Sequence, residues 1–186
     1  MDKVKLRTEI KERIAALDRT YIIESDNAIF NNIISMREFI SAPRVFTYIS
    51  IDREADTRRL IEHCRNIGKQ VALPANLNGG KMDFALLECA LNELPSGLLG
   101  IPTPKDNAKK LIPEAGDIII VPALCYDEEF YRLGHGGGYF DRYLSDCKAF
   151  SIGICREKLM VSEVPREFHD MRVNCLVTEK RIARPE

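Results

Sequence analysis

DIIIVPALCY, residues 117–126, is the most apolar stretch of the chain. The run Ile118-Ile119-Ile120-Val121 has no polar residue in alternation, so it fits a strand covered on both faces. Such strands sit in the middle of parallel sheets with helices packed on either side.

The flanking sequence agrees with that reading. RVFTYIS, 44–50, has the β-branched and aromatic content of a strand. DTRRLIEHCRNIG follows at 56–68, a helix with Asp56 as a candidate cap and Gly68 as its stop. KQVALP, 69–74, is a second strand, and strand–helix–strand order implies a parallel βαβ unit. FSIGIC, 150–155, and NCLVTE, 174–179, read as further strands. Upstream, residues 3–17 form an amphipathic helix, with Leu6, Ile10, Ile14 and Leu17 on one face and Lys3, Arg7, Lys11 and Arg13 on the other. A second helix is expected from the cap-forming Ser25-Asp26-Asn27 to Ile40. Residues 76–116 are less regular, punctuated by Gly79-Gly80, Pro95, Pro102, Pro104 and Pro113. They read as a short strand at MDFALL, 82–87, and a long surface excursion. The expectation is one α/β domain spanning residues 1–186, three layers deep, with a mostly parallel central sheet flanked by helices.

The totals bound the partners. A formal net charge of -1 offers no global attraction to nucleic acid or to an anionic membrane, so any anion must be bound by a local cluster. No apolar run approaches the roughly 20 residues that span a bilayer. The charged start MDKVKLRTEIKERIAAL reads as a helix and not as a signal peptide. Six scattered cysteines without a CxxC pair point to reduced thiols in the cytoplasm. A monomer is expected.

The local cluster is RLGHGGGYFDRYL, 132–144, which holds Gly134, Gly136, Gly137 and Gly138 with only His135 between them. Ligands of open α/β sheets sit beyond the carboxyl ends of the strands, and this loop follows the strongest strand. It is not a dinucleotide fingerprint, because Tyr139 stands where GxGxxG needs its last glycine. It is not a Walker loop, because the GK[ST] ending is missing. Successive glycines nevertheless let backbone N–H groups converge on a ligand. Arg132 enters the loop, Arg142 leaves it, and Asp141 falls in the first turn of an expected helix, YFDRYL. That equipment suits a polyphosphate, although glycine-rich loops between a strand and a helix also serve as plain turns. Lys3 and Arg7, one helical turn apart, could reach the same phosphates or form a solvated face.

VPALCYDEEFYRLGHGGGYFDRYL resembles the signature of the 5-formyltetrahydrofolate cyclo-ligase, or methenyltetrahydrofolate synthetase, family. Further matches follow in family order. They are Lys3, Leu6 and Arg7; Glu54 and Asp56; Pro74 with Met82-Asp83-Phe84; Ile101-Pro102-Thr103-Pro104; and His169-Asp170 with Val173. The chain departs from the pattern at Phe140, where the second of two tyrosines is usual, and at Thr103 and Asn174.

The resemblance implies ATP-dependent closure of 5-formyltetrahydrofolate to 5,10-methenyltetrahydrofolate with Mg²⁺ as cofactor. It implies ATP binding by Lys3, Arg7, Arg132, Gly134, His135, Gly136, Gly137, Gly138, Tyr139 and Asp141, with Lys3, Arg7 and Arg132 as the catalytic cations. Asp141 and Asp170 are the implied metal ligands. Glu54 and Asp56 would accept hydrogen bonds from the pterin, while Pro74, Met82 and Tyr139 would pack on the folate rings. His169 is left as a structural residue. Two rival readings are an enzyme handling sugar phosphates or coenzyme A on a related architecture, and a nucleic-acid-binding module. The first leaves Lys3/Arg7 and Glu54/Asp56 without a role, and the second runs against the net charge.

Overall fold

All four residues of the strand Ile118–Val121 are buried in the computed structural model, which describes residues 2–78, 81–97 and 100–185. Gly79 and Gly80 lie outside the described residues. In chain order the helices are α1 (Lys3–Ala15), α2 (Arg19–Ser35), α3 (Arg37–Ser41), α4 (Arg58–Asn66) and α5 (Tyr139–Leu144). The strands are β1 (Arg44–Phe46), β2 (Gln70–Asn78), β3 (Lys81–Leu86), β4 (Lys110–Leu111), β5 (Ile118–Val121), β6 (Cys125–Tyr126), β7 (Arg132–Leu133), β8 (Phe150–Ile154), β9 (Cys175–Val177) and β10 (Ile182–Ala183).

The main sheet has eight strands in the order β10-β9-β8-β5-β1-β2-β3-β4. Its centre, β9-β8-β5-β1-β2, is parallel throughout, and the pairs at either edge are antiparallel. β1, α4 and β2 form the expected parallel βαβ unit. β5 alternates between two cores. Ile118 and Ile120 pack with α2, α3 and α4, and Ile119 and Val121 face Tyr126, Phe130 and Leu144 on the other side. The unbroken apolar run therefore reflects burial of both faces. Helices on each face and the mostly parallel sheet match the expected three-layer α/β domain.

Within the parallel set the chain order reverses between β1 and β5. β2 lies on one side of β1, while β5, β8 and β9 follow on the other. The connections leaving the carboxyl ends of β1 and β5 therefore diverge and leave a crevice.

Several boundaries differ from the sequence expectation. α2 starts at Arg19, capped by Asp18, whose side chain accepts from the Tyr21 N–H. Ser25 and Asp26 lie inside it and serve as partners of Arg156 instead of caps. An extended backbone at Met36 then ends α2, and α3 follows. β1 stops at Phe46, leaving residues 47–51 to cross the sheet edge. β5 stops at Val121 because Pro122 has no N–H for the ladder. The chain then folds into the hairpin β6–β7. Asp56 caps weakly, accepting from the Arg58 N–H beside the N-cap residue Thr57.

α1 packs Leu6 and Ile10 against Leu124, Cys125 and Leu133 of the hairpin region. That contact brings its basic face to the crevice. Among the described residues no helix is long and apolar enough to cross a membrane.

Gly153 in β8 tests the packing. A Cβ there would lie 2.5 Å from Tyr126 Cζ, a ring held by its hydroxyl bond to Val121 O. Gly153→Ala should lower unfolding stability by about 1–3 kcal/mol, as overpacking does. Thermal denaturation would show this, and an unchanged midpoint would contradict the packing described.

Candidate active site

A cavity of about 510 Å³ occupies the crevice between the carboxyl ends of β1 and β5. Its walls are the β1 exit (Tyr48, Ile49, Ile51, Glu54), Pro122 beyond β5, the glycine loop, and Lys3 and Arg7 of α1. Leu73, Pro74, Leu77 and Met82 of the β2–β3 pair add an apolar side.

The glycine loop leaves β7 at Gly134 and enters α5 at Gly138. Gly136 (φ 108°) and Gly138 (φ 64°) occupy left-handed backbone that other residues rarely adopt. A Cβ on Gly138 would also meet Arg142 Nη1 at 2.9 Å. Arg7 Nε donates to Gly134 O at 2.9 Å across 127 residues of sequence. Arg142 Nη2 donates to Gly137 O. The two guanidiniums therefore hold the loop from either end.

Arg132 is the buried strut of the site, with only 3% of its side chain exposed. Nη2 donates to Asp141 Oδ1 at 2.6 Å and Nη1 to Met171 O at 2.7 Å. Asp141 Oδ1 also accepts from the Met171 N–H at 3.1 Å. One ion pair thus joins β7, α5 and the 167–171 segment. Lys3 Nζ reaches that segment too, at 2.8 and 2.6 Å from the two oxygens of Asp170 and 3.3 Å from Glu167 Oε1. Asp170 Oδ2 additionally closes a turn by accepting from the Glu167 N–H. Burial acts to raise the Asp170 pKa. The bonds from Lys3 and the Glu167 N–H, with the Lys3 charge, outweigh it and hold the carboxyl below its ordinary value of 3.8.

Across the cavity, Glu54 Oε2 accepts from the Ile51 N–H at 3.0 Å, and Oε1 lies 3.2 Å from His135 Nε2. The sequence-derived residues Lys3, Arg7, Glu54, Pro74, Met82, Arg132, Gly134, His135, Gly136, Gly137, Gly138, Tyr139, Asp141 and Asp170 all line this one cavity. Asp56 does not. It borders a neighbouring cleft with Asp26 and Asp52, and its Oδ1 accepts from Ser50 Oγ and the Arg58 N–H. His169 also reaches the cavity wall.

Sequence reasoning passed over Tyr48 and Arg156. Tyr48 sits in the wall just past β1. Arg156 is 1% exposed and donates to Ser25 Oγ, Arg53 O, Asp26 Oδ1 and Glu54 O. It thereby ties α2 to the segment that carries Glu54. A charged residue directly after an apolar strand was the only signal for it.

Among the described residues no cluster of three or more His, Cys, Asp or Glu could hold a metal by itself. Asp141 commits Oδ1 to protein donors, and Oδ2 has no protein donor among the described residues. This donor set fits a magnesium ion that takes one or two carboxylates and draws its other ligands from phosphates and water.

The sheet order and cavity define a doubly wound α/β protein with a cavity at its switch point, where a cationic, glycine-lined wall faces an apolar one. Residues 1–179 match the model of the 5-formyltetrahydrofolate cyclo-ligase family. The chain is 27% identical to the probable 5-formyltetrahydrofolate cyclo-ligase of Schizosaccharomyces pombe, over 99% of this chain and 98% of the relative. It is 28% identical to the 5-formyltetrahydrofolate cyclo-ligase of Escherichia coli K12, over 93% and 98%. A solved structure of Aquifex aeolicus 5,10-methenyltetrahydrofolate synthetase superposes with a TM-score of 0.83 at 29% identity, covering 99% of this chain and 93% of that one. The chain belongs to the 5-formyltetrahydrofolate cyclo-ligase family, which makes it an enzyme of the cyclo-ligase class.

The Lys3–Asp170 pair makes stability depend on pH. A carboxyl held low in the folded chain contributes stability above its unfolded pKa and loses it as pH falls through the folded value. At neutral pH Asp170→Asn should be less stable than the parent, and the gap should close as pH falls below about 4. Urea unfolding at stepwise lower pH measures the gap; one that stayed constant would remove Asp170 from the account.

Proposed function

We propose that the chain catalyses ATP-dependent closure of 5-formyltetrahydrofolate to 5,10-methenyltetrahydrofolate, releasing ADP and phosphate. The carrying observation is the meeting of Lys3, Arg7 and Arg132 with the Gly134–Gly138 loop at the switch point of a chain in this family. The N5 formyl group is amide-like, a weak electrophile whose oxygen leaves poorly. Its oxygen attacks the γ-phosphorus of ATP, the bond to the bridging oxygen breaks, and ADP departs. N10 then attacks the formyl carbon and gives up its proton, and the carbon–oxygen bond breaks to release phosphate. Both centres lie in one molecule, so the second step has the advantage of proximity. No enzyme nucleophile is required, and catalysis consists of positioning and charge neutralisation.

On this reading the glycine backbone and the three cations take the phosphates, with Lys3 exchanging part of its contact with Asp170 for them. Asp141 and Asp170 would hold Mg²⁺, directly or through water; the ion, when bound, supplies charge neutralisation at the phosphates. Glu54 takes donors of the pterin ring, while Pro74, Met82 and Tyr139 supply the apolar wall. Asp56 acts one step behind, bracing the segment that carries Glu54. The six cysteines are free, and burial pushes the thiols of Cys64 and Cys125 up to about 12, which keeps them protonated and unreactive; a cytoplasmic enzyme is the setting of this reading.

Incubation of purified protein with 5-formyltetrahydrofolate, ATP and Mg²⁺ should produce the near-ultraviolet band of methenyltetrahydrofolate. Omitting ATP should abolish it, and a complete mixture that gives no band would refute the reading.

The two walls should separate kinetically. Glu54→Gln should raise the KM for the folate roughly tenfold, the effect of a lost charge-assisted bond, with little change for ATP. Lys3→Ala and Arg7→Lys should raise the KM for ATP instead; the second keeps the charge but loses the planar fork. Steady-state rates with each substrate varied in turn decide this, and a reversed pattern would exchange the two subsites.

A further inference from the structure

Tyr48 is only 8% exposed, and it stands at the carboxyl end of β1 where the cavity opens. Among the described residues its hydroxyl has no hydrogen-bond partner. Only its backbone carbonyl is engaged, accepting from Thr57 Oγ1 at 2.6 Å and Thr47 Oγ1 at 3.4 Å. Tyr126, by contrast, is fully buried and donates its hydroxyl to Val121 O at 2.9 Å. The sealed side-chain atoms without partners, among the described residues, belong to Arg53, Glu157 and Arg181. The Tyr48 hydroxyl is not one of them, so it retains accessible surface, and the space that Tyr48 borders is the cavity. A phenol with no partner among the described residues is a poor choice for an apolar wall unless a ligand completes it.

The neighbouring chemistry narrows the ligand group. Glu54 shares this wall and offers a carboxylate that can only accept when ionised. Burial first, and then the charge of Glu54, push the Tyr48 pKa well above its ordinary value, so the phenol keeps its proton at neutral pH and can donate. The wall therefore offers both a donor and an acceptor. A cyclic amide edge with an attached amino group, C=O beside N–H beside NH₂, is complementary to that pair.

We propose that Tyr48 is a specificity-determining residue for the folate, donating its hydroxyl hydrogen to the 4-carbonyl oxygen of the pterin while Glu54 accepts from the adjacent N–H groups. The inference rests on the folate reading of the cavity and deepens it. It assigns the pterin edge to the β1 exit.

The test compares the parent enzyme with Tyr48→Phe, which deletes an atom that no group among the described residues uses. The thermal midpoint should be unchanged. Affinity for 5-formyltetrahydrofolate, measured by titration without ATP, should fall about five- to tenfold, the worth of one hydrogen bond to a desolvated group. The KM for the folate should rise in step, with kcat and the KM for ATP little changed. An analogue carrying hydrogen in place of the 4-carbonyl oxygen should bind parent and variant equally, because one partner of the bond is already gone. Unchanged folate affinity in Tyr48→Phe, or an equal loss for both ligands, would overturn the assignment. Failure of the parent enzyme to form methenyltetrahydrofolate would instead overturn the folate reading.

Discussion

The structure depends on the reversal of strand order between β1 and β5. Parallel strands deliver all their carboxyl ends to one edge of the sheet, and connections that leave in opposite directions cannot cover the gap between them. Both cavity walls begin there. Residues 47–54 leave β1 on one side, and Pro122 with the β6–β7 hairpin leaves β5 on the other. α1 is added through Leu6 and Ile10, which find apolar partners on the hairpin and so carry Lys3 and Arg7 to the rim. The basic residues reach the site through an apolar contact.

Loops at a sheet edge need fixing, and two buried guanidiniums do it. Arg156 spends its donors on Ser25, Asp26 and the carbonyls of Arg53 and Glu54, holding the β1 exit against α2. Arg132 does the same for the glycine side, joining Asp141 and Met171. A buried charge is tolerated only when its donors are satisfied, so each arginine enforces one arrangement of the segments around it. The planar fork of arginine allows several fixed bonds at once, which a lysine at either position would not reproduce.

The walls differ in chemistry as the proposed reaction requires. Cations and glycine backbone suit charge developing on a phosphoryl group, whereas the apolar side with Glu54 suits a flat heterocycle that has a polar edge. Lys3 rests on Asp170 within the cationic wall, and His135 lies against Glu54 across the cavity.

The sequence by itself determined the layered α/β architecture and pointed to most of the residues that meet in the cavity. Burial on both faces writes itself into an unbroken apolar strand such as Ile118–Val121, and left-handed backbone at Gly136 and Gly138 favours glycine. Those are local demands that local residues must meet. Asp18 caps α2 by accepting from the Tyr21 N–H, while Ser25 and Asp26 lie inside the helix and bond Arg156, a residue 130 positions from Asp26. Only the tertiary structure decided that Glu54 borders the main cavity while Asp56, two residues on, turns to the neighbouring cleft and braces Ser50 and Arg58. It also decided that Tyr48 ends at the cavity with no partner for its hydroxyl among the described residues. In both cases the side chain's role depends on which elements meet beyond the end of β1, and that meeting is set by strand order, which no stretch of sequence contains.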